Sequence, residues 1–227
     1  MKESYLVMSM SQDFEQYARD RAQKGVVPTA WEAAFRENVL PLLSSDQERR
    51  CLDYGFGNGK YVPFFTAWFK KENIYGVEVS DTRVQRLQRE GWKNMLLVKP
   101  LEPLPFDRDT FHLIHSDQVI EHIPISDIDF YMQEIHRILY PDGVCFFVTP
   151  NYPVKRVYDI IDVFFGRFQR LHDDPTHVNK FTVSKAKKLF KKYFFDVEII
   201  PTGGIFFRLL RHSFFSRKII VIAHNKK

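Results

Sequence analysis

The chain has 227 residues, of which 44% are hydrophobic and 27% are charged, which excludes a disordered protein and leaves room for one large α/β domain or two small ones. Its net charge of +5 comes from basic residues late in the chain, in 185–192 and 208–218, which suit an anionic substrate or a membrane surface. Because no RNA- or DNA-binding motif accompanies them, we expect no nucleic-acid partner.

The predicted elements alternate between strand and helix, as in a βαβ protein. The first 45 residues or so read as a helical cap, in which Thr29 and Glu32 have the spacing of a capping box and predict a helix to about Leu43. The elements that follow are, in order, a strand over 50–54, a glycine loop, a helix over 59–71, a strand over 73–80, a helix over 81–91 and a strand over 94–99.

The alternation resumes after a proline-rich loop at 100–110. The remaining elements are a strand over 111–117, a helix over 126–140 capped by Ser126, a "PDG" turn, a strand over 144–150, a helix over 181–194 and strands over 196–201 and 217–225. This order predicts one domain over 1–227 with seven strands in a single doubly wound sheet. Residues 152–180 form an aromatic insertion, which could be a lid, extra core packing or a dimer face.

The start of the chain lacks the apolar core and cleavage site of a signal peptide, and no window approaches the roughly 18 apolar residues of a membrane span. Cys51 and Cys145 fall on the first and fifth predicted strands. With another strand between them they would lie about twice 4.8 Å apart, beyond the roughly 7 Å that a disulfide can bridge. We therefore expect two reduced thiols and a cytoplasmic location.

The stretch "CLDYGFGNGKYV" at 51–62 places Gly55, Gly57 and Gly59 directly after a predicted strand, where a ligand can approach backbone N–H groups. Glu78 follows Gly55 by 23 positions, at the end of the second strand, and can accept the two hydroxyls of a ribose. This combination indicates a nucleoside ligand but leaves NAD and S-adenosylmethionine open. The spacing is not that of dinucleotide binders, and Asp53 suits an amino group or a sulfonium better than a pyrophosphate.

Several ordered motifs carry a resemblance over about residues 28–225. "LDYGFGNG", "GVEVS", "LEPLPFDRDTFHLIHSDQVIEHI", "YMQEIHRILYPDGVCFFVTPN" and "DDPTHVNKFTVSKAKKLF" resemble class I S-adenosylmethionine-dependent methyltransferases, including small-molecule, sugar and quinone-biosynthesis members. The resemblance implies a Rossmann-like α/β fold with a seven-stranded, mostly parallel sheet, helices on both faces and an antiparallel last strand. It also implies S-adenosylmethionine as the cofactor, S-adenosylhomocysteine as the product, and no metal.

The resemblance also implies which residues hold the cofactor. Asp53 and Gly55 would face the methionine moiety, Glu78 the ribose, and Leu101 with Glu102 the adenine. The implied set is completed by Gly57, Gly59, Val79, Ser116, Asp117 and Gln118. The family usually has an acid near position 100, where this chain has Pro100.

His122, His172 and His177 are the candidate general bases, because the pKa of histidine lies nearest neutral pH. Each can instead be structural, as we expect of His136. His112 and His115 should point to opposite faces of their strand and so make a poor metal pair.

The resulting hypothesis is O-methylation of a small molecule or a sugar in glycan or natural-product biosynthesis. A quinone- or lipid-like acceptor, a catalytically silent scaffold and a dehydrogenase are the alternatives. Peripheral membrane contact and a homodimer stay open.

Overall fold

The structure is a computed structural model that describes residue 15 and residues 25–43, 48–152, 154–166, 176–202 and 216–224. Its strands are β1 (Cys51–Tyr54), β2 (Ile74–Glu78), β3 (Met95–Leu97), β4 (Phe111–Asp117), β5 (Leu139–Pro150), β6 (Asp196–Thr202) and β7 (Lys218–His224). Its α-helices are α1 (Thr29–Asn38), α2 (Val62–Phe65), α3 (Asp81–Arg89), α4 (Ile128–Ile138), α5 (Val154–Phe164) and α6 (Val183–Lys191). Within these residues no helix is long and apolar enough to cross a bilayer.

The seven strands form one sheet in the order β3-β2-β1-β4-β5-β7-β6. The first five pair in parallel, whereas β7 runs antiparallel to both β5 and β6. One apolar layer packs α1, α2 and α3 on one face of the sheet, and another packs α4 and α6 on the opposite face. The predicted fold class, with its antiparallel last strand, is confirmed.

Strand β4 separates the two cysteines, since it pairs with β1 on one side and β5 on the other. Cys51 and Cys145 are both buried and free, as expected. The strand order also matters for ligands. From β1 the sheet extends through β2 and β3 on one side, and from β4 it extends through β5 on the other side. Open α/β sheets bind their ligands beyond the carboxyl ends of the strands at such a switch point.

Several local predictions were wrong. The helix expected over 59–71 is only the single turn α2, because Pro63 fits a first turn and the aromatic residues after it pack into the core instead of continuing the helix. The "PDG" turn is part of β5, where the register with β4 shifts.

Two predicted caps are absent as well. Thr29 is the first helical residue, and Pro28 holds the cap position without a side-chain bond. Helix α1 also ends at Asn38 rather than near Leu43, and a short 3-10 helix, Leu40–Leu42, follows it. The N-cap position of α4 is held by Asp127 rather than Ser126, and the Ser126 hydroxyl donates a hydrogen bond to the Asp127 carboxylate.

Candidate active site

The glycine loop turns sharply between β1 and α2. Gly55 has φ +71° and a Cβ there would lie 2.4 Å from Val119 Cγ2, so only glycine fits. At Gly57, with φ +54°, the nearest atom to a Cβ would be Arg83 Nη1 at 3.9 Å. Gly55 is therefore required by packing, whereas Gly57 leaves an open cradle beside the loop backbone. Gly59 resembles Gly55, because its Cβ would meet Leu87 Cδ1 at 2.6 Å.

Glu78, at the end of β2, is joined to this loop by hydrogen bonds. Gly57 N–H donates to Glu78 Oε2 over 2.8 Å and Val79 N–H donates to Oε1 over 2.9 Å. Arg83 Nη1 lies 3.5 Å from the same carboxylate. The side chain is almost fully buried, so its orientation is fixed. Ser80 N–H also donates to Oε1, over 3.4 Å, so a ligand's hydroxyls would replace the longer contacts of Ser80 and Arg83.

Asp53, at the end of β1, belongs to a buried chain of hydrogen bonds that the sequence did not indicate. Trp31 Nε1–H donates to His115 Nε2 over 3.2 Å, so the ring proton sits on Nδ1, which donates to Asp53 Oδ1 over 2.7 Å. Asp53 is 1% exposed, and its Oδ2 has no hydrogen-bond partner among the described residues. A buried carboxylate oxygen with this open capacity suits a cationic group of a ligand.

The two residues at the end of β4, Ser116 and Asp117, have separate environments. Asp117 Oδ2 accepts hydrogen bonds from Lys60 Nζ at 2.8 Å and Tyr61 Oη at 2.7 Å. Burial alone would raise the pKa of Asp117, but Lys218, Lys60 and Tyr61 outweigh it and hold the pKa below its usual value. Ser116 Oγ is buried without a hydrogen-bond partner in the described part of the chain.

Two of the residues predicted to contact a nucleoside have a strained backbone. Among the described residues, left-handed φ occurs at three non-glycine positions, and two of these are Leu101 at 59° and Gln118 at 60°. Leu101 N–H donates to Tyr131 Oη over 3.1 Å, and its side chain is 51% exposed. Glu102 is exposed and pairs with Lys99. Such strain clusters at functional sites, and the exposed Leu101 lies in the loop that follows β3.

A second group, the histidine cluster (Glu121, His122 and His177), lies just beyond β4. The rings of His122 and His177 meet edge to face with centroids 4.8 Å apart. His122 Nδ1–H donates to the Thr176 carbonyl over 3.1 Å, and His177 Nδ1 is 2.7 Å from Tyr152 Oη. Two of the three candidate bases are thus neighbours, although they are 55 positions apart in the sequence. The third, His172, lies outside the described residues.

Glu121 was not predicted as a site residue, although it precedes His122 directly. Its side chain is fully buried, and Oε2 accepts a hydrogen bond from Thr149 Oγ1 over 3.1 Å. Burial raises the pKa of Glu121 to about 8, and the nearby charge of Asp117 adds to the rise. This carboxyl group is therefore poised near neutral pH at the end of the sheet where ligands bind.

The other histidines are placed as predicted or have structural contacts. His112 and His115 point to opposite faces of β4: His112 stacks on Tyr140, whereas His115 is buried beside Trp31. His136 packs against Phe194.

A family model described as a methyltransferase domain matches residues 28–198. The chain belongs to this family. The predicted resemblance to class I S-adenosylmethionine-dependent methyltransferases is thereby confirmed. The glycine-loop site, by which we mean Asp53, residues 55–59 and Glu78, lies inside the matched region of this methyltransferase domain, as does the histidine cluster.

Similar proteins include YrhH of Bacillus subtilis (strain 168), a protein named as a methyltransferase, which is 31% identical over 46% of this chain and 59% of its own length. The malonyl-[acyl-carrier protein] O-methyltransferase of Halorhodospira halophila (strain DSM 244 / SL1) is 26% identical over 44% of this chain and 35% of its own. The chain thus spans only about a third to three fifths of these curated relatives. Among solved structures, an S-adenosylmethionine-dependent methyltransferase from Archaeoglobus fulgidus shares the fold, with a TM-score of 0.60 and 17% identity over 85% of this chain and 91% of its own.

Proposed function

We propose that this methyltransferase transfers the methyl group of S-adenosylmethionine to a hydroxyl oxygen of a small molecule or a sugar. The observation that carries the proposal is that the glycine-loop site and the histidine cluster lie at the same carboxyl edge of the sheet, on either side of β4. The first has the groups to hold a nucleoside with a cationic tail, and the second has the groups to take a proton. Each is needed for methylation of an alcohol.

The glycine-loop site fits S-adenosylmethionine in its donors and acceptors. Asp53 Oδ2, buried and without a partner among the described residues, would bind the ammonium group of the methionine moiety. Glu78, oriented by two backbone N–H groups, would accept the ribose hydroxyls. The exposed Leu101 side chain would cover the adenine. When bound, the cofactor supplies an activated methyl group and leaves as a neutral thioether.

The histidine cluster would act on the acceptor. A hydroxyl must lose its proton as its oxygen gains the methyl group, and side chains with a pKa near neutral serve this step best. Histidine has such a pKa in general, and Glu121 has one here because of its burial. We therefore assign deprotonation of the acceptor hydroxyl to this cluster. The O-methyltransferase name of the Halorhodospira halophila relative supports oxygen as the accepting atom.

A second acceptor class is favoured by the surface of helix α5. Its buried positions include Asp159 and Asp162, which pair with Arg217, whereas its last residue Phe164 and the following Phe165 are 83% and 69% exposed. An apolar surface of this kind supports a quinone- or lipid-like acceptor, or contact with a membrane. If the acceptor is a sugar, a nucleotide sugar should compete with it. If the acceptor is quinone- or lipid-like, an isoprenoid or a detergent should compete with it.

Calorimetric titration of the full chain with S-adenosylmethionine and with S-adenosylhomocysteine tests the proposal. We expect saturable binding of both and methyl transfer from labelled cofactor to at least one acceptor of the sugar or quinone class. Binding without transfer to any acceptor class would favour the silent scaffold. Binding of NAD but of neither adenosyl compound would overturn the proposal in favour of a dehydrogenase.

A further inference from the structure

The histidine cluster has the composition of a metal site. Glu121, His122 and His177 each offer one ligand atom, and these atoms all lie within 4.8 Å of one another. Two imidazoles and a carboxylate are the donors found in many zinc and transition-metal sites. Bonds of about 2.1 Å in a tetrahedral geometry would set ligand atoms about 3.4 Å apart. Small side-chain rotations would therefore bring the three groups onto one cation.

The two imidazole rings are already oriented by groups around them. His122 donates through Nδ1–H to the Thr176 carbonyl, and His177 Nδ1 is bonded to the Tyr152 hydroxyl. Histidines that bind a metal through one ring nitrogen almost always place the other against a carbonyl, a carboxylate or water. In this cluster the outer partners engage Nδ1 of both rings, which assigns Nε2 of both rings to the cation.

Glu121 supplies a buried oxygen ligand for such a site. Its Oε2 bonds Thr149 Oγ1, but its buried Oε1 has no hydrogen-bond partner among the described residues. The main chain fixes the residue as well, since Asn179 N–H donates to the Glu121 carbonyl over 2.9 Å. A buried carboxylate oxygen is costly to leave without a partner. A cation bound to Oε1 would remove that cost.

We propose that Glu121, His122 and His177 form a site for a divalent transition metal such as Zn²⁺ or Co²⁺, with an open position for the acceptor oxygen. The nitrogen donors disfavour Mg²⁺ and Ca²⁺, which prefer all-oxygen sites. Three protein ligands leave a coordination position open, as in catalytic zinc sites. This inference rests on the proposed function and deepens it, because a cation lowers the pKa of a hydroxyl group bound at its open position. With all three side chains bound to the cation, the proton of that hydroxyl passes to solvent water, and the oxygen then accepts the methyl group.

Titration of chelator-treated protein with Co²⁺, followed by visible absorption, tests the site. We expect one equivalent of Co²⁺ to bind to the wild-type chain and to be displaced by Zn²⁺. In Glu121→Gln and His177→Gln the affinity should fall by more than the roughly 10- to 100-fold typical of losing an outer partner. In Tyr152→Phe, which removes only an outer partner of His177, the loss of Co²⁺ affinity should fall within that range. His136→Gln, a half-buried histidine outside the cluster, is the matched control and should bind as the wild type does.

X-ray absorption of the Co²⁺-loaded wild type gives an answer that does not depend on any variant folding. Two imidazole ligands are expected, and a spectrum without histidine ligands would overturn the site. So would the absence of saturable binding, or equal affinity in His177→Gln and His136→Gln. A parallel titration with S-adenosylmethionine separates the two proposals. If Co²⁺ binds and the cofactor does not, the proposed function fails alone. If the cofactor binds and Co²⁺ does not, the metal site fails alone. Methyl transfer at the full rate by chelator-treated protein would overturn the part of the cation in activating the acceptor.

Discussion

The glycine-loop site and the histidine cluster occupy one edge of the sheet but draw on the sequence in different ways. The first takes its groups from the adjacent parallel strands β1 and β2 and from the loop that follows β1, all within residues 53–79. The second joins a turn after β4 to a residue beyond α5, and its outer partners are Thr149 at the end of β5, Tyr152 and the Thr176 carbonyl. One site is local along the chain, and the other exists only once the fold has formed.

This difference predicts how each site responds to change. In the glycine-loop site, backbone conformation and backbone N–H groups set the geometry, so single substitutions should act through steric fit and charge. In the histidine cluster, separate segments must be held together, so a ligand that bridges them should matter more than any one hydrogen bond. Two substitutions in the glycine-loop site and one at the boundary between the two sites test this comparison.

The largest effect is expected for Gly55→Ala. The new methyl group would overlap Val119, and the positive φ would be strained. Left-handed backbone costs about 1–2 kcal/mol and overpacking about 1–3 kcal/mol, so the free energy of unfolding should fall by about 2–5 kcal/mol. Urea denaturation measures it. Gly57→Ala is the matched control, because it has the same backbone strain but open space around the new methyl group. It should lose only the roughly 1–2 kcal/mol of the backbone strain. Equal losses in the two variants would contradict the steric account.

The next effect is expected for Glu78→Gln, which keeps the size of the side chain and removes its charge. Hydrogen bonds to a charged group are worth about 2–3 kcal/mol, so affinity for S-adenosylmethionine should drop about 30- to 150-fold. Calorimetry measures the change, and Glu90→Gln, at the exposed end of α3, serves as the control. If Glu78→Gln binds the cofactor as tightly as Glu90→Gln does, the ribose assignment is wrong.

The smallest effect is expected for Asp117→Asn, at the boundary between the two sites. Because Lys218, Lys60 and Tyr61 depress the pKa of Asp117, its ionised form stabilises the fold above the unfolded pKa of about 3.9. At neutral pH the free energy of unfolding of the wild type should exceed that of the variant by about 1.5 kcal/mol. That difference should shrink as the pH falls below about 4. A difference in unfolding free energy that stays constant from neutral to acid pH would exclude this electrostatic role.

The sequence predicted the fold and the glycine-loop site because both depend on local patterns. Apolar runs marked the seven strands, and three closely spaced glycines marked the loop. The prediction for helix α2 was too long because the apolar spacing between 59 and 71 cannot reveal that the aromatic side chains pack better without further helical turns. The caps were wrong for a similar reason, since the spacing of Thr29 and Glu32 does not fix where the first helical residue falls.

The histidine cluster was predicted only in part. His122 and His177 were candidates because of their chemistry, but their proximity depends on how the segment after β5 returns to the sheet. Glu121 gave no signal of its own, since its burial and the resulting pKa are properties of the folded chain. Trp31 and His115 were missed because a hydrogen bond between α1 and β4 joins residues 84 positions apart.

That bond between Trp31 and His115 ties the first described helix to the floor of the glycine-loop site. The indole holds the imidazole, and the imidazole holds one oxygen of Asp53. If a ligand on the remaining oxygen strengthens this chain of hydrogen bonds, then by linkage docking of α1 strengthens ligand binding by the same free energy. Amide protons of α1 should then exchange with solvent more slowly once a cationic ligand fills the site. A helix that lies outside the glycine motif would in this way report whether the motif is occupied.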